Sequence, residues 1–245
     1  MKKTFHSGMI IQPGRKVRAV IMNGAAEMKD LLVIDFEMCE VDRNVIKNTG
    51  VYLEHEIIQI GAVILNEKNK VTDHYSAYVK PHYGRITPII TELTGIIDMD
   101  VERAPELAEA LKKFTNWVGD RDVTAASWSD TDQIQVSLEM EQKHIKNNRM
   151  MELIGGWVDL QKSYDDLIGV HWSTALGKAL RNEKIETVGR EHDGEVDAWN
   201  TALLIGELRK AGRELVIEPI EQSIEYHDEE PAESAFGNIF AQWKQ

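Results

Sequence analysis

The chain has 245 residues, 42% of them hydrophobic and 28% charged, a composition typical of one packed globular domain with appended segments rather than of a disordered chain. No stretch approaches the roughly 20 consecutive apolar residues of a transmembrane helix, so we expect no membrane partner. The formal charge of −13 excludes a protein that coats nucleic acid nonspecifically, because every phosphate contact requires a Lys or Arg.

The N-terminal part of the sequence differs from the rest. Residues 1–30 are locally basic and lack sustained periodicity, and we interpret them as an extension with one short strand around residues 17–22. Lys2 and Lys3 are not followed by the apolar core of a signal peptide. The single cysteine, Cys39, allows no internal disulfide, so we expect a cytoplasmic protein.

Three strands are predicted next. Residues 31–34 form a short apolar run that ends at Asp35, as in a strand buried on both faces. A second run covers residues 57–65, and the polar segment 66–70 separates it from a third at 71–79. This spacing predicts a β-hairpin.

The second half of the sequence is mostly helical. A short helix is expected from Pro88 to near Gly95, and a longer one with Pro105 in its first turn and Gly119 at its end. A fourth strand at 122–127 precedes helices at about 132–146 and 194–211. This order predicts an α/β domain with three layers and a mixed sheet.

The C-terminal segment, residues 213–245, is interpreted as an acidic tail. Seven acidic side chains and one lysine lie between Glu218 and the end of the chain. The last stretch has four apolar residues at helical spacing: Phe236, Ile239, Phe240 and Trp243. It predicts a short amphipathic helix, either docked on the domain or available to a protein partner.

Two carboxylates come directly after the first apolar run. Asp35 and Glu37 are two residues apart, and positions i and i+2 of a strand share a face, so both side chains project the same way. Two like charges at the mouth of an apolar core need compensation, and a divalent cation usually supplies it. The pattern indicates a metal site.

Two further segments place carboxylates near predicted helix starts. Asp132 follows the fourth strand, where Asp130 or Thr131 could simply cap the helix. Asp197 lies early in the last helix, with His192 on the loop before it. A loop histidine is usually only solvated, whereas one beside an inward-facing carboxylate suits a paired acid and base. The residues alone leave both interpretations open.

In order and context, these segments resemble the DEDDh family of 3′-to-5′ exonucleases, the DnaQ-like or RNase T-like group, in its Eri-like and KapD-type branch. The similar segments are residues 33–37, 56–63, 93–96, Ser127-Trp128 with Asp132, 157–164, and His192 with Asp197. The resemblance covers about residues 31–212. It implies a ribonuclease H-like three-layer α/β/α fold with a central mixed five-stranded sheet. Ser129 and the pair Met38-Cys39 depart from the usual pattern and leave the substrate preference open.

The resemblance also implies the site and its chemistry. Asp35, Glu37, Asp132 and Asp197 would bind two Mg²⁺ or Mn²⁺ ions, and His192 would deprotonate the attacking water. The side chains expected to contact the 3′-terminal nucleotide are Phe36, Met38, Cys39, Leu93, Thr94 and Trp128. Four of them, Phe36, Met38, Leu93 and Trp128, are of residue types that are more often core than contact.

The leading hypothesis is a metal-dependent 3′-to-5′ exonuclease that releases 5′-mononucleotides from single-stranded 3′ ends, with RNA favoured because the second motif is Eri-like. The alternatives are the same chemistry on DNA, a regulatory protein-binding module that uses this fold, and a structural acidic cluster without turnover. A homodimer is left open. Since bound metals would offset the local charge, the active site can take a short 3′ end although the whole molecule is acidic.

Overall fold

A computed structural model describes residues 29–220. The expected strand at 17–22 and the amphipathic end of the tail lie outside these residues, and the limits of the extension (1–30), domain (31–212) and tail (213–245) stay predictions. No helix between residues 29 and 220 is both long and apolar enough to cross a membrane.

A mixed five-stranded sheet forms the centre of the domain. Its strands are β1 (Asp30–Glu40), β2 (His55–Leu65), β3 (Val71–Tyr78), β4 (Val123–Ser127) and β5 (Val158–Asp159). Their spatial order is β3-β2-β1-β4-β5. The β1–β2 and β2–β3 pairs are antiparallel, whereas β1–β4 and β4–β5 are parallel. The predicted hairpin at 66–70 is confirmed.

Nine helices are found within the described residues. They are α1 (Arg43–Thr49), α2 (Pro88–Thr94), α3 (Asp98–Glu102), α4 (Leu107–Val118), α5 (Thr131–Gln142), α6 (Asn148–Gly155), α7 (Leu160–Ile168), α8 (Leu176–Asn182) and α9 (Gly194–Lys210). The predicted helix ends at Gly95 and Gly119 are confirmed.

The helices cover both faces of the sheet. Leu32 and Ile34 of β1 pack with α4, α5 and α6 on one side. Leu31 and Val33, on the opposite face of the same strand, pack with α7, α8 and α9. Because successive side chains of a strand alternate, one short apolar run supplies both cores. The three-layer α/β/α architecture of the ribonuclease H-like fold is confirmed.

Several details differ from the sequence predictions. β1 does not end at Asp35 but continues to Glu40, because β2 pairs with it as far as His55. The helix α4 begins at Leu107, so Pro105 precedes it and is not in its first turn. α1 was not predicted; it starts where the Asp42 side chain caps the amide of Asn44.

A buried ionic cluster joins β2 to α5. Glu56 and Glu139 are fully buried, and the Nζ atom of Lys143 lies 2.6 Å and 2.7 Å from their carboxylate oxygens. Glu56 also accepts hydrogen bonds from the amides of residues 82–84, and Glu139 from the amide of Ile57. The cluster therefore fixes α5, whose first turn carries Asp132, against the strand beside β1.

Candidate active site

Asp35 and Glu37 lie on the face of β1 that is covered by α9. They continue the series begun by Leu31 and Val33, whose side chains pack in the α7–α9 core. β1 pairs with β4 only as far as Val33, opposite Ala126, and then runs past the end of β4. The two carboxylates thus occupy a strand edge that is open to contributions from helices.

Asp132 lies beside the part of β1 that extends beyond its pairing with β4. It lies in the first turn of α5, the helix that follows β4, and its Oδ1 accepts a hydrogen bond of 2.8 Å from the Phe36 amide. Because the β1–β4 pairing ends at Val33, β4 provides no acceptor for the Phe36 amide, and the Asp132 carboxylate serves as the acceptor instead. Asp130 occupies the N-cap position but makes no capping hydrogen bond with its side chain. The structure therefore brings Asp132 to β1.

Asp197 and His192 come from the start of α9. The His192 amide donates a 2.8 Å hydrogen bond to Oδ2 of Asp197. His192 is exposed and has a φ of 63°, a left-handed conformation that is uncommon for a residue with a Cβ atom. One ligand atom each from Glu37, His192 and Asp197 lie within 4.8 Å of one another. The segment with His192 and Asp197 is thereby brought beside Glu37 of β1.

Gln59 also belongs to this region, although no sequence motif indicates a role for its side chain. It lies opposite Glu37 in the β1–β2 pair. Its Oε1 accepts from the Gly194 amide at 3.2 Å, and its Nε2 donates to Oδ1 of Asp193 at 3.3 Å. Asp193 in turn caps α9. Gln59 joins the strand of the site to the helix start, a relation between residues far apart in sequence that no local pattern indicates.

The carboxylates of the site strongly affect one another. Burial, followed by the charges of Asp197 and Asp132, raises the pKa of Glu37 to about 8. Burial and the neighbouring Asp132, Glu37 and Asp197 raise the pKa of Asp35 well above its usual range. The pKa of Asp132 is raised to about 7 by burial, although the Phe36 amide opposes the shift.

A cation fits this donor set. Among the described residues, no Lys or Arg forms an ion pair with Asp35, Glu37, Asp132 or Asp197. Four clustered carboxylates that favour protonation without a counter-charge are a site for a hard divalent ion with oxygen ligands. The set lacks cysteine and has one histidine, so its donor atoms are mainly the oxygens that hard divalent ions prefer.

The side chains expected to contact the terminal nucleotide are mostly buried. Phe36 packs in the core beside Trp157, with ring centroids 6.4 Å apart. Trp128 packs on Tyr164 and donates its indole N–H to the Thr174 carbonyl. For Phe36 and Trp128 the structure favours a packing role, which is the more frequent one for these residue types.

The other four candidates differ in exposure. Cys39 is fully buried, and burial raises the pKa of its thiol to about 12. Thr94 is buried and donates its hydroxyl to the Ile90 carbonyl. Met38 is half-buried, and Leu93, 45% exposed, lines an open cavity of about 540 Å³ beside the His192 loop. Leu93 therefore has the surface that a base contact requires.

Comparison with known proteins places this site in a family. Residues 32–205 match the RNase T family model, described as exonuclease. ERI1 exoribonuclease 2 of Danio rerio is 33% identical over 76% of this chain and 36% of its own length. Human 3′-5′ exoribonuclease 1 is 26% identical over 76% of this chain and 54% of its own length. The chain thus spans about a third to a half of these relatives.

Solved structures show the same fold. The nuclease domain of 3′hExo, a DEDDh family member bound to rAMP, has a TM-score of 0.68 and 24% identity, covering 80% of this chain and 98% of that one. The 3′-exonuclease in a structure of histone mRNA stem-loop recognition has a TM-score of 0.66 and 23% identity, covering 77% and 85%. With the family match over most of the sheet and α9, the chain belongs to the RNase T family of exonucleases.

Proposed function

We propose that this protein is a metal-dependent 3′-to-5′ exonuclease that hydrolyses phosphodiester bonds at single-stranded 3′ ends and releases 5′-mononucleotides. The observation that carries the proposal is that ligand atoms of Glu37, His192 and Asp197 lie within 4.8 Å of one another. Asp35 lies on the same strand as Glu37, and Asp132 of α5 accepts a hydrogen bond from the Phe36 amide of that strand. An acidic cluster that serves structure alone would not need an exposed histidine among its carboxylates.

Asp35, Glu37, Asp132 and Asp197 would hold two Mg²⁺ or Mn²⁺ ions. Bound there, such ions stabilise the negative charge that develops on the attacking and leaving oxygens of the phosphodiester. The chain's own part is to keep the four carboxylates in place. Asp132 is fixed by the Phe36 amide, and Asp197 by the His192 amide.

His192 would take the proton from the attacking water. Its imidazole is exposed and therefore within reach of solvent and of a bound 3′ end. An imidazole can accept a proton near neutral pH, as a general base must. The Asp197 carboxylate holds the backbone rather than the ring of His192, so the ring stays free for this transfer.

RNA is the favoured substrate. The sequence relatives are named exoribonucleases, and the second motif, Ser127-Trp128 with Asp132, is Eri-like. DNA is the second candidate, since the same fold occurs in an exonuclease described in complex with duplex DNA, at a TM-score of 0.52. The remaining alternative, a protein-binding module without turnover, would not require the five clustered residues.

The test is a comparison of RNA and DNA oligonucleotides of one sequence, each with a free or a phosphorylated 3′ end. With Mg²⁺ or Mn²⁺ we expect the free-ended RNA to be shortened faster than the DNA, with 5′-mononucleotides as products. Faster shortening of the DNA would replace RNA by DNA as substrate. Cleavage of a circular RNA, which has no 3′ end, at the same rate as the free-ended RNA would refute an exonuclease.

A further inference from the structure

The loop that carries His192 is held at both of its ends. At its beginning, the Val188 amide and carbonyl each form a hydrogen bond with the buried Asn200 side chain of α9. At its end, Asp193 caps α9 and accepts from Gln59. These contacts fix the loop to β2 and α9, but they leave the residues between them to be fixed by other groups.

Arg190 connects the middle of this loop to α2. Its Nη2 donates to the carbonyl of Glu92 at 2.5 Å and to that of Leu93 at 3.3 Å. Both acceptors are carbonyls of the last turn of α2, which have no partner further along the helix. No described residue forms an ion pair with Arg190. Its guanidinium therefore bonds to the backbone of α2 rather than to a carboxylate.

Gly95 makes room for this contact. It ends α2 with a φ of 82°, and a Cβ atom at this position would lie 2.3 Å from Nη1 of Arg190. The left-handed backbone favours glycine here, and any side chain would push the end of the Arg190 side chain out of this position. Two segments that are separate in the sequence, 93–96 and 190–197, therefore fit together through one side chain.

From this juxtaposition we propose that Arg190 is a positioning residue, which sets the orientation of the His192 imidazole by tying its loop to the end of α2. The proposal rests on the exonuclease function proposed above. Because His192 is exposed and has a strained backbone, its ring lacks the packing that would otherwise hold it in one orientation. The tether two residues away supplies that restraint.

The competing role for Arg190 is direct contact with a substrate phosphate. The cavity beside it, lined by Ile89, Glu92, Leu93, Arg190 and Glu191, is open to solvent. A phosphate contact contributes to binding and is weakened by salt. A positioning residue contributes to the chemical step instead, so the two roles separate in kcat and KM.

The kinetic test compares Arg190→Gln and Arg190→Lys with the wild type on the preferred oligonucleotide. We expect Arg190→Gln to lower kcat by about 10- to 100-fold, the effect of a misplaced catalytic group, with KM and its salt dependence little changed. Arg190→Lys should recover part of the loss. The matched control is Arg213→Gln, which removes an arginine bonded to Glu183 and should leave kcat unchanged.

A double-mutant cycle and a spectroscopic measurement complete the test. If Arg190 acts through His192, then His192→Ala costs much less in the Arg190→Gln background than in the wild type. In NMR spectra, the ring signals of His192, assigned by their loss in His192→Ala, should shift in Arg190→Gln, while those of His144 should not.

The outcomes are distinguishable. A raised KM with unchanged kcat would assign Arg190 to phosphate binding and overturn the proposal, as would additive losses in the cycle or unchanged His192 signals. If wild type and Asp35→Asn digest equally, the proposed function itself fails. The His192 signals then still decide whether Arg190 positions this loop.

Discussion

Gly61 on β2 and Gly194 at the start of α9 lie against each other without space for a side chain. A Cβ atom on Gly61 would lie 1.9 Å from the carbonyl carbon of Gly194, and one on Gly194 would lie 2.8 Å from the carbonyl oxygen of Asp35. This contact of backbone with backbone brings the first turn of α9 onto the strands of the site. It sets how close Asp197 comes to Asp35.

Gly61→Ala should therefore damage both stability and the site. Since backbone cannot move aside as a flexible side chain can, we expect a loss of about 1–3 kcal/mol in unfolding free energy and a strong loss of metal-dependent nuclease activity. Denaturant unfolding and oligonucleotide digestion measure the two effects. The control is Gly156→Ala, where nothing lies within 4 Å of the added methyl group. Equal, small effects at both positions would contradict the close packing.

His192→Ala should separate catalysis from stability. We expect a loss of about 10²- to 10⁴-fold in kcat, the usual contribution of a general base, with the unfolding free energy within about 0.5 kcal/mol of the wild type, because the side chain is exposed. His144→Ala is a closely matched control, because His144 is also exposed and has a φ of 51°. It lies just after the C-terminal end of α5, whereas Asp132 is in the first turn of that helix. Equal rates for the two variants would show that His192 is not the general base.

The stabilisation that metal provides should increase with pH. The folded-state pKa values of Glu37, about 8, and Asp132, about 7, are raised above their ordinary values of 4.5 and 3.8. The metal-free fold is favoured while these groups are protonated, and that contribution is lost as the pH rises through about 7 to 8. Metal requires the ionised forms and releases their protons.

We therefore expect Mn²⁺ to raise the Tm more at about pH 8.5 than at about pH 6. Differential scanning fluorimetry with and without Mn²⁺ measures the difference, and Asp35→Asn should reduce it. A Tm increase that stays constant or falls with rising pH would show that the four carboxylates do not hold the metal.

Lys143→Met should destabilise the protein by about 3–5 kcal/mol, because it leaves Glu56 and Glu139 buried without their cation. Burial acts to raise the pKa of Glu56, but Lys143 and the backbone amides outweigh it and lower that pKa; burial raises the pKa of Glu139. Stability from Glu56 is thus present above its ordinary pKa and lost as the pH falls.

The penalty of Lys143→Met, measured by urea unfolding, should accordingly be largest near neutral pH and shrink in acid, where both carboxylates take up protons. Lys113→Met, which removes an exposed pair with Glu109, should leave the free energy of unfolding almost unchanged. Penalties of similar size for the two lysines would contradict a structural role for the buried cluster.

Local patterns in the sequence predict most elements of this fold. The hairpin, α2 and α4 follow from periodicity and from Gly95 and Gly119, which act through the nearest residues. The predicted end of β1 is wrong. Asp35 interrupts the apolar run, but the strand continues beyond it because β1 stays paired with β2. The two-residue strand β5 forms only because β4 lies beside it, and no periodicity indicates it.

The same distinction holds for the site. The spacing of Asp35 and Glu37 indicates a metal site from the sequence, but Asp132 and Asp197 are linked to it by the family resemblance and not by any local signal. Gln59, Arg190 and the glycine contact each join residues at least 97 positions apart in the chain. Such contacts are consequences of tertiary packing, which one sequence does not display.

The most direct test of the central claim is digestion of a 5′-labelled single-stranded RNA with Mn²⁺ by wild type and by Asp35→Asn, with circular dichroism to show that both are folded. For the wild type we expect a ladder that shortens progressively from the 3′ end and release of 5′-mononucleotides, and for Asp35→Asn we expect neither. Equal digestion by both proteins, or no digestion of RNA or of the matching DNA by the wild type, would contradict it.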